Sequence, residues 1–140
     1  MKRVDVAYSL IMDETSSKVL AVKNQGNSTW SLPGGAVERE ETLEQAAVRE
    51  AKEETGLDVK VFGIVAINEC IFEQEQEHAI FFTFRSEIVG GTIEIKRPDE
   101  ITEIAWLELD EADKLMPYYK HGIKSLIGGN EIPYYDQGRR

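Results

Sequence analysis

The chain has 140 residues, 41% of them hydrophobic, and its 26 acidic against 16 basic side chains give a formal net charge of −10. That length fits one domain, residues 1–140, with a single core, and a pI near 4.7 argues against a sequence-independent grip on nucleic acid or an anionic membrane, since both need a basic surface. The single cysteine, Cys70, closes no internal disulfide, the two histidines complete no zinc-type spacing, and no apolar run suits a signal peptide or membrane span, so a reducing, cytoplasmic setting is expected.

In chain order, Val4 to Met12 and Lys18 to Val22 are strand-like runs separated by the turn-forming Asp13 to Ser17, which predicts a hairpin. Asn24 to Thr29 is polar and reads as a loop; Trp30 and Leu32 alternate as on a strand before Pro33, Gly34 and Gly35. The two glycines permit close approach of the backbone to a ligand. Leu43, Ala46, Ala47 and Ala51 then recur at helical spacing, and Gly56 caps the helix end. On that helix Glu50, Glu53 and Glu54 stand at i, i+3 and i+4, which crowds three carboxylates within about 5–6 Å on one face. An acidic solvated face is the ordinary reading of such a run. A hard divalent cation is the alternative, because magnesium is held by a few carboxylates together with waters and substrate phosphates. Further on, Leu57 to Ile67 and Ala79 to Val89 predict a second long hairpin and Gly90-Gly91 a turn. Ile101 to Leu109 predicts a strand, Asp110 an N-cap for a helix through Met116, and Pro117 its stop. A last helix is expected from Tyr118 to Ile127, with a loose tail after Tyr135. Helical regions interspersed among several strands imply an α/β domain with a mixed sheet covered on both faces.

The run Gly35, Glu41, Arg49, Glu50, Ala51, Glu53, Glu54, Gly56, Leu57 resembles the Nudix box, G-x5-E-x7-R-E-U-x-E-E-x-G-U with U a bulky apolar residue. Its seven fixed letters match by chance at on the order of 10⁻⁷ per starting position. Ala51 is the one departure, small where the family usually has a larger side chain. The resemblance implies the family's α/β/α sandwich with a catalytic loop–helix–loop. It also implies a Mg2+-dependent hydrolase, MutT-like, with Mn2+ as a possible substitute, that cleaves a nucleoside diphosphate linked to another moiety. Glu50, Glu53, Glu54 and the carbonyl of Gly34 are implied as metal ligands, with Glu100 of the later segment Arg97 to Glu103 as a further one and Glu50 as general base. Gly35, Glu41 and Gly56 are structural members of the box. Arg49 is expected to fix Glu41 and one metal-binding carboxylate through its fork. Lys23 and Arg39 are candidates for holding substrate phosphate, though an exposed lysine is the more common explanation of Lys23 and ordinary surface charge explains Arg39 equally well. Phe81, Phe82 and Phe84 are expected in core and sheet packing, with a nucleobase-facing ring as the alternative for one of them, and Cys70 as a small buried hydrophobe.

Flags of the family's ADP-ribose and dinucleoside polyphosphate subclasses, a Pro or a Tyr some fifteen to eighteen residues beyond the box, are absent from Phe72-Glu73-Gln74-Glu75. A nucleoside triphosphate, a sugar nucleotide or a capped RNA end stays open. The rival class is a catalytically silent nucleotide-sensing domain, which the complete set of box acids disfavours. A structural calcium or magnesium protein would need an EF-hand spacing that is not present. A homodimer is implied by analogy with the family.

Overall fold

A computed structural model describes residues 1–140. Seven strands and three helices follow one another as β1 (Lys2–Ile11), β2 (Lys18–Asn24), β3 (Trp30–Ser31), β4 (Gly34–Ala36), α1 (Leu43–Thr55), β5 (Leu57–Phe72), β6 (Glu77–Gly91), β7 (Ile101–Glu108), α2 (Leu109–Leu115) and α3 (Lys124–Ile127). They build two sheets. One is mixed, in the order β4-β1-β6-β5, with β1 and β6 parallel; the other is antiparallel, in the order β3-β2-β7.

The expected first hairpin is corrected. Asp13 does turn the chain, its carboxylate accepting from the backbone N–H groups of Ser17 and Lys18. Beyond a single bridge, Met12 to Val19, the two strands part into different sheets. Each already has both edges taken, β1 by β4 and β6, and β2 by β3 and β7, and each is apolar over most of its length, as a strand covered on both faces must be.

Helix α1 lies against the mixed sheet. Ala46 and Ala47 pack on Ala7, Val61, Ile64 and Phe84, and Ala51 packs on Ile11, Leu20, Leu57 and Val59. Three alanines on the buried stripe let the helix axis approach the strands closely, so the small Ala51 is a packing choice and leaves the acids in place. Helices α2 and α3 cover a second apolar cluster that contains Leu10, Val19, Leu32, Leu107, Met116 and Ile123. Layers on both sides give the α/β/α sandwich expected.

The second hairpin, β5 with β6, is present and longer than predicted. Gly90 and Gly91 end β6 instead of forming a turn, because Gly91 pairs with Leu57 and a Cβ there would stand 2.4 Å from the Gly56 carbonyl. Asp110 lies inside the first turn of α2, which Glu108 precedes without a side-chain cap. The last helix shrinks to four residues: Gly122 takes φ +80° and the Asp113 carboxylate accepts from Ile123 N–H, which fixes a turn where the helix would have run. The chain is docked as far as Tyr134, and past Tyr135 it is exposed apart from one contact of Arg139. Ile132 exchanges two backbone hydrogen bonds with Ile64, Tyr134 meets the buried Phe84 edge-on at 5.0 Å, and Arg139 donates to the Glu40 carbonyl.

Candidate active site

Thr42 caps α1 by accepting from Gln45 N–H while the Gln45 side chain accepts from Thr42 N–H, and Gly56 ends the helix in the left-handed region at φ +81°. The cap at each end fixes which way the acids project. Gly34 and Gly35, on β4 beside the helix, are required by close contacts. A Cβ on Gly34 would lie 2.2 Å from the Ala7 carbonyl, and one on Gly35 would lie 2.7 Å from the Glu50 carboxylate.

Arg49 is saturated. Nε and Nη2 grip Glu41 at 2.6 and 2.9 Å, Nη1 donates to Glu50 at 2.8 Å and Glu53 at 3.2 Å, and Nη2 also donates to the Ala36 carbonyl at 3.1 Å. The fork therefore holds Glu41 and two of the three helix acids, where the sequence pointed to one. Hydrogen bonding to Glu41 raises the guanidinium's pKa further above its already high value, and the same bond lowers that of Glu41. A permanent ion pair thus staples the loop before α1 to the helix.

Glu54 is the contrasting carboxylate. It is buried, accepts from Gly34 N–H at 3.0 Å, and has no cation partner. Burial pushes its pKa up to about 8 against the opposing pull of the Gly34 bond, and the charges of Glu50, Glu100 and Glu53 add to the rise. Glu100 shares a partner with the helix acids, since Arg97 contacts both Glu100 and Glu53. Burial also raises Glu50, which the bond from Arg49 only partly offsets.

The acids do not already converge as one coordination group. Glu50 and Glu53 turn to Arg49, while Arg97 reaches in from the segment between β6 and β7 to Glu53 at 3.1 Å and Glu100 at 3.4 Å. The donor set is nonetheless all oxygen, crowded and short of positive charge at its buried end, which suits a hard divalent cation. Lys23 and Arg39 form no ion pair and donate no side-chain hydrogen bond. Arg97 is a cation that spacing did not single out; its one signal is the basic pair Lys96-Arg97 directly before the acidic Asp99-Glu100.

Gly34 also lines a cleft of about 630 Å³, together with Tyr8, Asn24, Trp30, Asn68, Phe81 and Tyr118 among others, with Glu69 as its one charged side chain and no Lys or Arg. Phe81 stacks beside Tyr8 at 5.6 Å and Phe72 at 6.4 Å, so it faces this cleft and only Phe84 of the three phenylalanines is fully buried. Cys70 lines the cleft too and is exposed, because the far half of β5 extends beyond the core that would have covered it.

The arrangement defines a class: an α/β/α hydrolase-like sandwich in which a loop–helix unit presents acids at the mouth of an aromatic cleft. The NUDIX domain family model matches residues 1–126, and the chain belongs to the Nudix family as a pyrophosphohydrolase. It is 36% identical over 117 residues to an ADP-ribose pyrophosphatase of Methanocaldococcus jannaschii, covering 81% of this chain and 68% of that one. To a MutT-like protein of Streptomyces ambofaciens it is 32% identical over 113 residues, with the same coverage. The fold matches that of a NUDIX hydrolase from Nitrosomonas europaea with a TM-score of 0.79 at 23% identity, covering 98% of this chain and all of that structure. No helix is long and apolar enough to cross a membrane.

Proposed function

We propose that the protein hydrolyses a nucleoside diphosphate linked to a further group, a nucleoside triphosphate or a related anhydride, with Mg2+ as cofactor and Mn2+ as a substitute. The observation that carries this reading is Glu54, a buried carboxylate with no counter-ion among Glu50, Glu53 and Glu100. Holding four acids there is costly in the absence of a cation and suits one that binds phosphate. Glu50, Glu53, Glu54, Glu100 and the Gly34 carbonyl would hold the metal. When bound, it neutralises charge on the phosphate oxygens and acidifies the attacking water.

The remaining tasks fall to the chain. Arg49 keeps Glu41, Glu50 and Glu53 in register. Glu50 receives the proton of the attacking water at Oε2, the oxygen that Arg49 leaves free. The cleft takes the base and sugar: it is rich in aromatic side chains, flanked by the amides of Asn24, Asn27 and Asn68, and free of the cations a phosphate would seek. The anhydride then lies across Gly34, with its phosphates on the acid side.

Phosphate and pyrophosphate release from nucleoside triphosphates, ADP-ribose, sugar nucleotides and dinucleoside polyphosphates with Mg2+ tests the reading. The Glu53→Gln/Glu54→Gln double variant, shown to be folded, serves as the control. Metal-dependent turnover that is lost in the variant is expected. Tight nucleotide binding with no turnover on any compound would move the protein to the nucleotide-sensing class.

A further inference from the structure

We infer that Arg97 is a movable counter-ion: it neutralises Glu53 and Glu100 before the metal binds, and passes to a phosphate oxygen of the substrate once the metal has taken those acids. The inference rests on the reading of the acids as a metal site. Two cations touch the cluster, and they differ in how fully they are committed. Arg49 is 23% exposed at its side chain and has a partner on each guanidinium nitrogen, so it has no freedom to turn. Arg97 is 45% exposed, and its contacts are single ones from Nη2 to Glu53 and from Nη1 to Glu100. Of the five donors on a guanidinium, most stay available.

The segment that carries Arg97 is held in position while the side chain is free to swing. Glu94 N–H donates to the Thr55 carbonyl at 2.9 Å, at the end of α1. Thr92 O lies where a Cβ on Gly56 would sit, and the Arg97 carbonyl accepts from Glu100 and Ile101 N–H at 2.9 and 2.8 Å. Backbone fixed at the helix end and a long side chain over the acids give Arg97 reach to the same space a phosphate would enter. Glu53 is shared by both arginines. A divalent cation on Glu53 and Glu100 would remove the partners of Arg97 and leave the partners of Arg49 at Glu41 and Ala36 intact.

An Arg97→Ala variant therefore has two effects of opposite sign. Calorimetry with MnCl2 alone should show tighter metal binding than wild type by up to about fivefold, the range of one partly exposed ion pair. In the presence of metal, binding of the α,β-methylene analogues of ATP and GTP should weaken by about tenfold or more, as expected for loss of a charge-assisted phosphate contact. Arg97→Lys should recover part of the nucleotide affinity, having the charge without the fork. Weaker Mn2+ binding in Arg97→Ala, or unchanged affinity for both analogues, would overturn the inference. If wild type binds neither analogue and cleaves no compound of the panel, the hydrolase reading fails and the phosphate half fails with it; the Mn2+ comparison still decides the counter-ion half.

Discussion

The two ends of the site are built on opposite plans. At the acid end, from Gly34 to Gly56, one short stretch of chain supplies the close-packed glycines, the capped helix, three acids and the arginine that fixes two of them, and Glu100 and Arg97 join from one neighbouring segment. At the cleft end, Tyr8, Asn24, Trp30, Asn68, Phe81 and Tyr118 come from β1, β2, β3, β5, β6 and the turn after α2. The first end is charged and rigidly cross-linked, and the second is aromatic and uncharged over most of its wall. The difference teaches that, on the proposed function, the machinery for breaking an anhydride is local in this chain, whereas the choice of what carries the anhydride depends on how both sheets come together.

The largest expected effect lies at the buried acid. Glu54 has an ordinary carboxylate pKa of 4.5 when unfolded and about 8 when folded, so the native state binds more protons than the unfolded state across that window. Stability is then greatest below the unfolded value and is lost as pH rises through the folded one, by on the order of 5 kcal/mol in the metal-free protein. Glu54→Gln keeps an acceptor for Gly34 N–H and removes the charge. Scanning calorimetry with a chelator between pH 5 and 8.5 should show the wild-type Tm falling relative to the variant, and added Mg2+ should raise Tm for wild type more than for the variant. Parallel curves for the two proteins would show that Glu54 is not the strained member of the cluster.

Arg49 gives a smaller effect of a different kind. Arg49→Ala leaves Glu41, Glu50 and Glu53 without their common partner, and groups that orient metal ligands typically alter activity or metal affinity by about 10–100-fold when removed. The loss should appear in kcat and in metal affinity together, and the ratio of kcat/KM between two nucleobases should stay as in wild type, because no cleft residue is touched. Arg49→Lys should rescue little, since one ammonium cannot span Glu41 Oε1 and Oε2 while also reaching Glu50. Purified Arg49→Ala with wild-type turnover and metal affinity would remove Arg49 from the machinery.

How much was legible follows the same division. The helix over Leu43–Thr55, its end at Gly56 and the Arg49 fork could be read from spacing and from resemblance, because periodicity and local hydrogen bonding place residues that are close in sequence, whereas the capping box of Thr42 and Gln45 went unread. The first hairpin was misread, since pairing partners for β1 and β2 lie far along the chain and a turn at Asp13 says nothing of which edges are already occupied. Cys70 was assigned to the core on residue type alone; its exposure depends on β5 running past the helix that covers the inner half of the strand. Arg97 escaped because a single arginine in a loop carries no period, and only the docking of residues 92–100 on the end of α1 brings it to the acids.

The weakest expected effect tests the cleft by itself. Phe81 is packed between Tyr8 and Phe72 on the cleft floor, where an aromatic face offers a nucleobase a stacking surface worth about 1–3 kcal/mol. Phe81→Leu keeps most of the apolar volume and removes the ring, so KM for the preferred nucleotide should rise by about five- to tenfold, the low end of that range, with kcat and Mn2+ affinity close to wild type and the preference among bases flattened. The pattern matters more than its size. A fall in kcat as large as the rise in KM would mean that the ring also positions the anhydride through Tyr8 and Gly34, and the separation of the two ends would be lost. A rise in KM alone, equal in every base of the panel, would leave the separation standing and move base selection to the amides of Asn24, Asn27 and Asn68.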